Sequence, residues 1–159
     1  MAAMTNLLVK DDANPLVELT FIPITDTPDP LWRTAIAGVP MDGQVRLTQS
    51  VIKQKNGSYK ITAKLEVPVM ETLGASGTSA GYVAPPKVAY VNTVIVSLFA
   101  DSRSTIADRA NALKLMLGCL AGATSTTATG TINGASAADV YKNSTAPFPQ
   151  LFSTLILAN

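Results

Sequence analysis

The chain has 159 residues, 47% of them hydrophobic and 14% charged, with a formal net charge of +1. It is too apolar and too weakly charged to be disordered, and its length suits one compact domain rather than two. It contains no histidine, which removes the usual general base, the Ser-His and Cys-His nucleophile pairs and the commonest zinc ligand, so no enzyme, cofactor or metal site is expected.

Residues 1–10 lack the basic start and apolar run of a secretory leader, so the chain is expected to be used as it stands. Over 6–24, LLVK and LVELTFIPI flank a DDANP turn, which predicts a β-hairpin with Pro15 at its entrance. Asp11 and Asp12 read there as a solvated turn rather than a catalytic pair. TPDP at 27–30 breaks the pattern, and LWRTAIAG at 31–38 predicts a short strand with Trp32 as a core anchor.

The clearest alternation follows at 43–53. Val45, Leu47, Gln49 and Val51 fall on one face, with Arg46, Thr48, Ser50 and Ile52 on the other. Asn56-Gly57 suits a hairpin turn, after which Ile61, Ala63, Leu65 and Val67 face the core while Lys60, Thr62, Lys64 and Glu66 face away. Pro68 is expected to close this strand, because it cannot donate a ladder hydrogen bond.

The stretch 71–87 is rich in Gly, Ser, Thr, Ala and Pro and predicts a long exposed loop. KVAYVNTVIVSLFA at 87–100 is β-branched and largely apolar, the composition of a strand with both faces partly covered. A helix is expected over 104–121, opened by a Thr105/Asp108 capping box and carrying Ile106, Ala110, Leu113, Leu117 and Leu120 as an apolar stripe. The lone cysteine, Cys119, lies in that run and reads as a small buried hydrophobe, with no disulfide and a reducing cytoplasm implied. Residues 123–159 form an apolar extension in which ASAADVYK predicts a short helix. No stretch reaches the ~20 apolar residues that span a bilayer, so no membrane partner is expected.

Charge is unevenly spread. Residues 43–65 hold Arg46, Lys53, Lys55, Lys60 and Lys64, five of the chain's 12 basic residues, and no acidic one. Arg46, Lys60 and Lys64 share the polar strand face with the hydroxyls of Thr48, Ser50 and Thr62. Such a face can hold RNA phosphates and bond unstacked base edges; it is equally compatible with an ordinary solvated sheet. Tyr90 and Asn92, two apart and therefore on one side of the next strand, are expected to add a stacking ring and an amide to it.

These residues resemble the coat proteins of single-stranded RNA bacteriophages, the levivirus type. The resemblance rests on Thr48-Gln-Ser50, Thr62-Ala-Lys64-Leu-Glu66-Val-Pro68 and Tyr90-Val-Asn92, followed by the capped helix. It implies an α+β fold: an N-terminal hairpin, a five-stranded antiparallel sheet and C-terminal helices. Two subunits would form an interlocked homodimer, and dimers an icosahedral T=3 shell around genomic RNA. The inner sheet face would bind an RNA hairpin, repressing replicase translation and marking the genome for packaging. Thr48, Ser50, Thr62 and Lys64 would form adenine pockets, Tyr90 would stack on a base with Asn92 assisting, and Arg46 would meet phosphate. Lys60 lies on the same face. Ile52 stands where some family members carry a basic residue, and 123–159 is longer than the usual ending.

A stand-alone RNA-binding regulator using the same face is the alternative, with no small-molecule substrate in either case. The two roles predicted for sheet face and helix separate by mutation. Lys64→Ala is expected to weaken hairpin binding more than assembly, and Leu117→Ala the reverse, read by filter binding and particle yield. Equal effects on both would contradict separate roles.

Overall fold

A computed structural model describes residues 4–13, 15–71 and 86–121. The expected loop at 71–87 lies outside these residues except at its two ends, and the expected extension at 123–159 lies wholly outside them. The described residues divide into two compact units, one of residues 4–7, 20–71 and 86–102, the other of residues 8–13, 15–19 and 103–121.

The strands are β1 (Leu7–Lys10), β2 (Glu18–Thr25), β3 (Leu31–Thr34), β4 (Arg46–Lys53), β5 (Tyr59–Met70) and β6 (Val88–Ala100). They form one sheet in sequence order, and each pair from β2 to β6 is antiparallel. The expected separation into a hairpin and a five-stranded sheet is not what is seen: the described residues hold six strands in a single sheet. The reason is that β2 continues into pairing with β3, Phe21 opposite Thr34 and Pro23 opposite Trp32, so the hairpin adds to the sheet edge.

Local chemistry explains the connections. In the first turn the Asp11 carboxylate accepts from the backbone N–H groups of Ala13 (3.1 Å) and Val17 (2.7 Å), so it serves as a turn cap. Between β4 and β5, Gly57 N–H donates to Gln54 O at 3.0 Å, with Gly57 at φ +85°. That left-handed position follows a tight turn and is one a glycine takes without steric cost. The base of the 71–87 segment is closed by Glu71 N–H to Lys87 O at 2.8 Å.

Two strand ends depart from expectation. The strand expected over 31–38 stops at Thr34, because the chain turns at Gly38 (φ +76°) into a 3-10 turn at Met41–Gly43. The strand expected to close at Pro68 runs on to Met70, with Pro68 opposite Val91. Pairing of β5 with β4 ends at Glu66, so beyond it β5 has a free edge on which a missing N–H costs no ladder bond.

Among the described residues the buried apolar ones are Phe21, Trp32, Val45 and Ala100, and Trp32 Nε1 donates to Thr5 O at 3.0 Å. Beside them Thr34 and Gln44 are buried and polar. Gln44 Oε1 accepts from Thr34 Oγ1 (3.0 Å) and Ile36 N (2.8 Å), and its Nε2 donates to Ile36 O (3.0 Å) and Val39 O (2.9 Å). Thr34 Oγ1 in turn accepts from Val45 N at 3.0 Å. Every polar atom of the glutamine amide is used, which is what its burial requires.

The helix α1 (Ile106–Leu120) begins with the expected capping box: Thr105 Oγ1 accepts from Asp108 N (3.2 Å), and Asp108 Oδ2 accepts from Thr105 N (2.9 Å). Those Thr105 hydrogen bonds, backbone first, hold the Asp108 carboxyl below its ordinary range. No residue of α1 is buried within the chain. Cys119 is exposed, against the expectation of a buried hydrophobe, since its place in an apolar helical run does not by itself supply cover.

The Gln44 amide is the best test of this account of the β3–β4 connection. Gln44→Leu leaves the Thr34 hydroxyl and backbone groups of Ile36 and Val39 without partners, and should cost about 2–3 kcal/mol. Urea unfolding reads this; a loss under about 0.5 kcal/mol would contradict it.

Candidate nucleic-acid interface

Directly opposed residues in an antiparallel ladder point to the same side of the sheet. The register therefore sorts every side chain of β4, β5 and β6. Arg46 lies opposite Glu66, and Glu66 opposite Thr93; Thr48 opposite Lys64, and Lys64 opposite Ile95. Ser50, Thr62 and Ser97 form the next row, and Ile52, Lys60 and Phe99 the last. Six of the eight expected binding residues, Arg46, Thr48, Ser50, Lys60, Thr62 and Lys64, thus share one face.

Tyr90 and Asn92 do not join them. Tyr90 is opposite Val69 and Asn92 opposite Val67, which places both with Leu65, Ala63 and Ile61 on the other, apolar face. The expectation that they complete the polar platform is corrected by the strand register. Two residues apart on a strand guarantees a shared side, but which side is set by the partner strand, and that pairing is invisible within β6 alone.

In their place β6 brings Thr93, Ser97 and Phe99 to the platform. Ser97 Oγ lies 3.3 Å from Thr62 Oγ1. These residues were legible only after alignment of β6 to β5. Arg33 was missed as well: it sits opposite Arg46 in the β3–β4 ladder, and its buried Nε has no hydrogen-bond partner.

The electrostatics differ from a bare cluster of positive charge. Lys64 Nζ is 2.7 Å from Glu66 Oε1, and Arg46 Nη2 is 3.5 Å from Asp42 Oδ1. Both basic groups thus lie beside a carboxylate, in partly exposed pairs, while Lys60 approaches the Phe99 ring at 5.9 Å from its centroid. Thr48 Oγ1 makes a long 3.5 Å contact with Lys64 O. The face combines cations with short hydroxyls in register, a surface able to take phosphates and base edges. Among the described residues there is no cluster of metal ligands and no helix long and apolar enough to cross a membrane.

The register is directly testable. In a Cys119→Ser background, Thr62→Cys with Ser97→Cys should form a disulfide under mild oxidation, while Thr62→Cys with Val96→Cys should not, as their side chains point to opposite faces. Equal cross-linking of both pairs, read on non-reducing gels, would contradict the pairing.

Known proteins share this arrangement. A family model described as levivirus coat protein matches residues 2–143. The capsid protein of Pseudomonas phage PRR1 is 35% identical over 111 residues, covering 69% of this chain and 79% of its own. The solved structure of the virus-like particle of bacteriophage EMS014 superposes with a TM-score of 0.88 at 46% identity, covering 99% of this chain and 100% of that one. At 17% identity, the chain of the bacteriophage NT-214 particle shares the fold with a TM-score of 0.70, covering 99% of this chain and 100% of its own. The sheet followed by a capped helix, the motif residues of β4 and β5 and the family match agree: the chain belongs to the levivirus coat protein family, and its role is structural rather than catalytic.

Proposed function

We propose that this coat protein acts as a single domain that dimerises and assembles into an icosahedral shell around phage genomic RNA. Its polar sheet face binds a hairpin of that RNA, repressing replicase translation and marking the genome for packaging. The protein is made in the bacterial host's cytoplasm and resides in the virion.

The observation that carries the assembly reading is β6. It is a 13-residue edge strand exposed along most of its length, with Tyr90, Val91, Val94 and Ile95 each at least 45% exposed. A long apolar edge is a template for pairing with another chain, and a monomer would need to blunt it. A second β6 running antiparallel would satisfy those backbone groups and make one sheet of two subunits. The apolar side of α1, with Leu113 49% and Leu117 54% exposed, supplies matching surface for the partner's apolar sheet face. This also gives the low charge content a reason.

RNA binding is supported by the separation of the two faces. Thr48, Ser50, Thr62 and Lys64 form pockets for unpaired bases, while Arg46 and Lys60 meet phosphates. Arg33 extends the basic edge beside Arg46. The competing reading, a regulator that binds RNA without assembling, leaves the β6 edge and α1 uncovered.

Expression of this chain alone should give closed particles by negative-stain electron microscopy. A strictly monomeric product in mild buffer would sink the shell reading. Gel-shift selection from fragments of the phage genome should recover a discrete hairpin whose binding weakens steeply with salt; recovery of random fragments would contradict specific recognition.

A further inference from the structure

The row at the turn-proximal end of the polar face holds Ile52, Lys60 and Phe99. Phe99 is 63% exposed and Ile52 56%, although neither gains from contact with water. The Lys60 ammonium stands 5.9 Å from the Phe99 centroid, within reach of the ring's negative face. In the adjacent row, Thr62 Oγ1 and Ser97 Oγ lie 3.3 Å apart, with Ser50 opposite Thr62. Neither row contains a carboxylate.

We propose that Phe99 is a stacking platform for an unpaired nucleobase, with Lys60 taking the adjoining phosphate and the Thr62–Ser97 hydroxyl pair the base edge or ribose. The proposal rests on the reading of the polar face as the RNA interface and relocates its aromatic element. The family resemblance assigns stacking to Tyr90, which the register places on the opposite face.

Three features favour a nucleotide over a protein partner here. The Phe99 ring is 63% exposed and is flanked along the strands by the small hydroxyls of Thr62 and Ser97. The positive charge beside it complements a phosphate, and stacking accepts any base because each has a π-face. A protein interface core, by contrast, is depleted in lysine.

The test uses the full chain reassembled free of nucleic acid, with two probes: decaadenylate and an abasic ribose-phosphate oligomer of equal length. Phe99→Leu should weaken decaadenylate binding about 5- to 100-fold and leave the abasic probe unchanged, as expected for one lost stacking contact. Phe99→Tyr should bind as the parent does, and Lys60→Gln should weaken both probes alike. A 2-aminopurine placed in the oligomer should be quenched on binding to the parent protein, a readout that does not depend on any variant folding.

Absence of that quench overturns the proposal. So does Phe99→Leu binding both probes like the parent, or losing both equally, and so does selective loss of decaadenylate in Tyr90→Leu. Loss of assembly in Phe99→Leu together with an unquenched parent complex would mark Phe99 as a subunit contact instead. If the parent binds neither probe, the RNA-interface reading itself fails. If it binds both but Phe99→Leu changes nothing, only the stacking assignment falls.

Discussion

The unbroken pairing of β5 with β4 on one side and β6 on the other is the constraint on which the molecule depends. Because side chains alternate along each strand, a slip of one residue in either ladder would exchange the two faces. In the observed register Thr48, Ser50, Thr62, Lys64 and Ser97 stand together, and Leu47, Leu65, Val67 and Val94 stand together behind them. The same backbone ladder that stabilises the sheet therefore also separates a face of hydroxyls and basic groups from a mostly apolar one.

That separation is incomplete within one chain. The apolar face keeps Val51 66% and Val94 45% exposed, and the helix contributes no buried residue. Among the described residues, much apolar surface is thus left for association to cover. The buried group around Trp32, with the saturated Gln44 amide beside it, anchors the β3–β4 corner.

Much of this was legible in the residues. Alternation in 43–53 and 59–67 identified the polar face correctly, since each strand's two sides differ in chemistry. Thr105 and Asp108 marked the helix start through a local hydrogen-bond pair that needs no tertiary context. The β6 strand was different: apolar residues occupy both of its sides, so its pattern carried no information about facing, and Tyr90 and Asn92 were assigned to the polar face from their spacing and from the family resemblance. Its composition read as partial cover of both faces and said nothing of its place at the end of the strand order. The same ambiguity hid Cys119, because an apolar helical stripe looks identical whether its cover comes from the same chain or another. The extent of β5 past Pro68 depended on where β4 ends, which no local signal reveals.

The central claim is that the face bearing Thr48, Thr62 and Ser97 is the one turned toward RNA. A cryo-electron microscopy map of particles assembled on the recovered genomic hairpin tests it most directly. The account predicts nucleic-acid density against that face, with the side of Leu65, Tyr90 and Asn92 covered by protein. Density lying against Tyr90 and Asn92 instead, with Thr62 and Ser97 packed under helices, would contradict it.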